Sequence, residues 1–66
     1  MMNRSKAEQA INKIDAGSDF EYVGMGSTVV IGKDADGTWW VADNGDAVEG
    51  LTREEACRLA EEAANS

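Results

Sequence analysis

The chain has 66 residues, six basic and thirteen acidic, for a net charge of −7. That size allows one domain with one small core and no deep interior, and that charge excludes a direct nucleic-acid binder and an anionic membrane surface as a partner. One cysteine and no histidine exclude an intramolecular disulfide, a Cys–His nucleophile pair and a Cys/His zinc site, so no catalytic residue, cofactor or metal is expected.

A first helix is predicted over residues 5–16. Ser5 and Glu8 have the S-x-x-E spacing of a capping box. Ala7, Ala10, Ile11 and Ile14 follow at the spacing of one apolar stripe, and Gly17 is a natural stop. FEYV, residues 20–23, reads as a strand, after which Gly24-Met25-Gly26 turns the chain. The pair of glycines begins like a dinucleotide fingerprint, but the third glycine and the following helix are absent.

Strands are predicted over 27–33 and 38–42, both rich in β-branched or aromatic residues. Asp34-Ala35-Asp36-Gly37 joins them as a type I turn with a glycine bulge. The same four residues resemble part of a calcium loop. Aligned on Gly37, however, Gly32 stands where the first ligand belongs and Asp43 where a glutamate belongs. Asp43-Asn44-Gly45-Asp46 holds the Asn-Gly pair of a tight turn. A further short strand around Ala47 to Glu49 is an option.

A second helix is predicted over residues 52–64. Thr52 and Glu55 repeat the capping box, with Leu51 in the staple position. Ala56, Leu59, Ala60 and Ala63 form its stripe, Cys57 is a small partly buried residue, and Glu54 and Arg58 stand at i, i+4. The fold class is therefore α+β, in the order α-β-β-(β)-α, with both helices on one face of an antiparallel sheet and the other face open.

The acidic excess belongs to the middle of the chain. Residues 15 to 49 carry eight acids against Lys33, a net of −7. Both tryptophans lie there. Neighbours on a strand point to opposite faces, so Trp39, sharing its face with Val41, goes to the core. Trp40 goes to the open face, where it covers the sheet by packing on Tyr22 or Val30, or anchors an interface. The two acidic turns stand at opposite ends of the Trp strand, which spans ~17 Å over five residues.

The acidic DADG…DNGD…VE belt on a short histidine-free chain resembles, in size, charge and architecture, the small acidic inhibitor proteins of bacteriophages and other mobile elements. These include anti-CRISPR and anti-restriction proteins, some of which imitate nucleic acid. The resemblance implies an inhibitor that engages a basic, nucleic-acid-binding host protein; the lack of a nucleophile–base pair makes it non-enzymatic, and the single cysteine fits a reducing, cytoplasmic compartment. The acidic belt itself, not the resemblance, picks out the residues: Asp34, Asp36, Asp43, Asp46 and Glu49 would enter the basic channel of that protein, and Trp40 would be the apolar anchor. The alternative is a structural or assembly protein that pairs with copies of itself through a sheet edge or the open face.

Overall fold

The computed structural model describes residues 5–24 and 26–65. Met25, the middle of the first glycine turn, lies outside the described residues. The order is α1 (Lys6–Asp15), β1 (Phe20–Tyr22), β2 (Val29–Lys33), β3 (Trp39–Asp43), β4 (Asp46–Leu51) and α2 (Arg53–Asn65). The four strands form one antiparallel sheet in the order β1-β2-β3-β4, a plain meander. The optional strand at Ala47 to Glu49 is a full six-residue edge strand. The strand expected from residue 27 begins at Val29, because Ser27 turns the chain and its hydroxyl accepts the Val29 N–H.

Both helix starts are set by local chemistry. The Glu8 N–H donates to Ser5 Oγ at 3.1 Å. At α2 the capping box closes in both directions: Thr52 N–H to Glu55 Oε1 at 3.0 Å, and Glu55 N–H to Thr52 Oγ1 at 3.1 Å. Two free N–H groups at the helix start are thereby satisfied. The expected Glu54–Arg58 ion pair is not formed within the described residues. The pair found there joins the helices, Arg53 to Asp15.

The turns follow from their glycines. In the β2–β3 turn the Asp34 N–H donates to the Thr38 carbonyl, and the Gly37 N–H to the Asp34 carbonyl. Gly37 takes φ +92, the left-handed bulge residue that the sequence called for. Between β3 and β4, Asn44 (φ 52) and Gly45 (φ 90) give the two positive φ values of a type I′ turn.

The helices lie on one face of the sheet, α1 over β1 and β2, α2 over β2, β3 and β4. Ile31, Val29, Val41 and Trp39 point from the strands into the stripes Ala7, Ala10, Ile11 and Ile14 of α1 and Ala56 and Ala60 of α2. Val23, just past β1, is fully buried, and its N–H donates to the Val29 carbonyl. Among the described residues no charged or polar side chain is buried. The core is an apolar seam between one sheet face and two helices rich in alanine, whose small side chains let the backbones approach closely.

Candidate functional site: the open sheet face and its acidic perimeter

Register decides which side chains share the uncovered face. Phe20 pairs with Gly32 and Gly32 with Trp40, which makes one row across three strands. Tyr22, Val30, Ala42 and Ala47 make the next row across all four. Cross-strand partners point to the same side, and Trp39, Val41 and Ile31 occupy the other side, in the core. Phe20 is 53% exposed and Tyr22 61% exposed, while Trp40 is half-buried.

Trp40 thus stands on the open face, as its alternation with Trp39 required. It lies in a different row from Tyr22 and Val30, however, and packs on Gly32. A Cβ placed on Gly32 would fall 2.3 Å from two carbons of the indole. The ring therefore lies across the glycine, filling the space left by the missing side chain. Packing an aromatic over a strand glycine restores burial that the glycine alone cannot supply. The outer side of the indole is left facing away from the sheet.

The acids stand around the perimeter. Asp34 and Asp36 sit in the turn at one end of β3, Asp43 and Asp46 flank the turn at the other end, and Glu49 lies in the exposed edge strand. Two of these carboxylates also serve the fold. Asp36 Oδ1 accepts from the Thr38 N–H at 3.0 Å and from the Thr38 hydroxyl at 2.7 Å. These bonds, the N–H first, hold its carboxyl below its ordinary value. Asp43 Oδ1 accepts from the Thr28 hydroxyl at 2.8 Å. Asp43 and Asp46 also stand directly opposite each other in the register, a like-charge pair that is destabilising in a sheet. Among the described residues none of the five is in an ion pair.

The sheet edges are poor templates for another strand. β1 has three residues. β4 carries Asp46 and Glu49 and has an irregular register opposite Trp39 and Val41. Short length, charge and a bulge each discourage edge pairing, so the open face is the larger unguarded surface.

On the far side, α1 and α2 frame an open groove of about 700 Å³ lined by Glu8, Ile11, Asn12, Arg53, Glu54 and Cys57. Burial pushes the Cys57 thiol up, and Glu61 and Glu8 add to the effect against the opposing pull of Arg53. The thiol is thereby kept protonated, the opposite of an activated nucleophile. Among the described residues no group of three metal-ligating side chains comes together, and no helix is long and apolar enough to cross a membrane.

Sequence reasoning put Tyr22 on the open face with Trp40 and missed Phe20, which read only as a strand residue. The signal was the alternation F-E-Y, combined with a register that a single sequence does not supply. No protein-family model, curated protein or solved structure matches this chain.

Proposed function

We propose that this protein is a non-enzymatic inhibitor that binds a basic, nucleic-acid-binding host protein in the manner of anti-CRISPR and anti-restriction proteins. Its acidic turns would take the place of nucleic-acid phosphates in a basic channel. The observation that carries this reading is the uncompensated charge around the sheet. Residues 19 to 51 hold seven acids against Lys33, a net of −6. Self-repulsion of that kind disfavours the compact state, and the opposed Asp43 and Asp46 add to it. A basic partner would turn this cost into attraction. The turns at the two ends of β3 are ~17 Å apart at the usual strand rise, a span of several phosphates.

An aromatic face on a four-stranded antiparallel sheet is also what base-stacking proteins present. The acidic perimeter separates this chain from them, because it repels the phosphates that such proteins need. A second reading rests on the exposure of Phe20 and Tyr22: assembly with copies of itself through the same face.

The test is capture from host lysate by the wild type and by Asp34→Asn, Asp46→Asn, Glu49→Gln. These three side chains make no bond within the described fold, so the variant should remain folded. The expected result is one nucleic-acid-binding protein retained by the wild type and lost by the variant. Nucleic acid should displace it, and its affinity should fall steeply between about 0.05 and 0.5 M salt. Capture that ignores both salt and nucleic acid would sink the reading.

A further inference from the structure

We propose, on the basic-partner reading above, that the open sheet face is the docking platform for a short arginine-bearing segment of the partner. A guanidinium would stack on the outer side of the Trp40 indole, beside the Phe20 and Tyr22 rings. Three observations converge on this occupant.

The first is chemical. Phe20, Tyr22 and Trp40 present three aromatic side chains on one uncovered face. Their π-faces attract cations, arginine above all, because its planar and weakly hydrated guanidinium stacks on a ring while keeping its N–H groups free for acceptors.

The second is electrostatic. The acceptors are present: Asp34 and Asp36 in the turn at one end of the face and Glu49 along the edge strand, all exposed. A cation on the platform therefore meets carboxylates at the β2–β3 turn and along the β4 edge. An anionic or neutral apolar partner gains nothing from them.

The third is size. Four strands about 4.8 Å apart and five residues long at ~3.3 Å each give a face of about 14 × 16 Å. That is well short of the ~800 Å² per partner buried in a stable protein pair. It matches the footprint of about five extended residues. Two copies meeting face to face would bury too little and would bring two acidic perimeters together.

The test uses the intact chain and two synthetic peptides of equal charge, one alternating arginine with serine and the other lysine with serine. Binding is followed by amide chemical shifts and by fluorescence. The arginine peptide should bind about fivefold tighter than the lysine peptide. Its shifts should concentrate on Phe20, Tyr22, Val30, Trp40 and Ala42. The double variant Phe20→Ala, Tyr22→Ala removes exposed rings and spares the core. It should weaken the arginine peptide about tenfold and the lysine peptide less.

Equal affinities, shifts confined to the acidic turns and no loss in the double variant would overturn the platform while leaving the basic-partner reading intact. Failure of both peptides to bind at low salt would overturn both. Concentration-dependent doubling of mass, abolished by the double variant, would also overturn the proposal and give the face to a second copy of the chain.

Discussion

Gly32 carries no side chain, and the indole of Trp40 lies where one would be. Glycine in a strand interior is costly on its own, and here the cost is offset by the ring that roofs it. Gly32→Ala tests that arrangement. The new methyl would stand 2.3 Å from the ring, so the indole must swing away from the sheet. Urea unfolding should show a loss of about 1–3 kcal/mol, the usual range for overpacking. In a Trp39→Phe background, which isolates the second indole, the emission should shift to the red. Unchanged stability and emission would mean that the ring does not rest on this glycine. The same residue pair links packing to binding, because an indole held flat by the glycine beneath it presents its other side already oriented.

Among the elements, α2 has the most explicit start. The Thr52 N–H and hydroxyl hold the Glu55 carboxyl below its ordinary 4.5, with a smaller pull from Arg58. A carboxyl lowered by folding contributes stability that is full above its unfolded value and lost as pH falls through its folded value. Glu55→Gln keeps an oxygen acceptor and removes the titration. Between about pH 5.5 and pH 3, the melting temperature of the wild type should therefore fall more than that of the variant. Parallel acid profiles would mean that the box does not form.

This start was legible because a capping box is written within four residues, as was the stripe of α1. β4 was harder to see. In DAVEGL only Leu51 packs against the core, Val48 is 47% exposed, and Gly50 breaks the alternation. An edge strand with so little to bury loses the period by which strands are recognised. The acidic positions of the candidate site could be read directly, since charge needs no fold. Its aromatic half could be read at Trp40 through the alternation with Trp39. Tyr22 could be named as its open-face neighbour, but Phe20 and the glycine beneath the indole needed the pairing of three strands.

At the scale of the molecule, the seam between helices and sheet has no disulfide or buried ion pair among the described residues to support it. Domains of this length hold roughly 3–10 kcal/mol in total. The opposed carboxylates at the β3–β4 turn draw on that margin. Asp46→Asn should return a few tenths of a kcal/mol, up to about 0.5, in denaturant unfolding. It should also weaken the salt-sensitive capture of a basic partner. A gain in stability with capture unaltered would take Asp46 out of the contact.

The meander also has a consequence in time. Each strand pairs with the one made just before it, so the sheet can assemble from short loops and avoid a long conformational search. The distant closure is α2 onto α1, where Arg53 reaches Asp15 across 38 positions. Mixed domains with such local pairings fold faster than the milliseconds to seconds of sheets built from distant strands, and contacts that form after the rate-limiting step show themselves in the reverse rate. In stopped-flow experiments Arg53→Ala should leave the refolding arm unmoved and raise the unfolding arm. The two helices then act as a latch on a sheet already built, and how long the binding face persists is set by how firmly that latch holds.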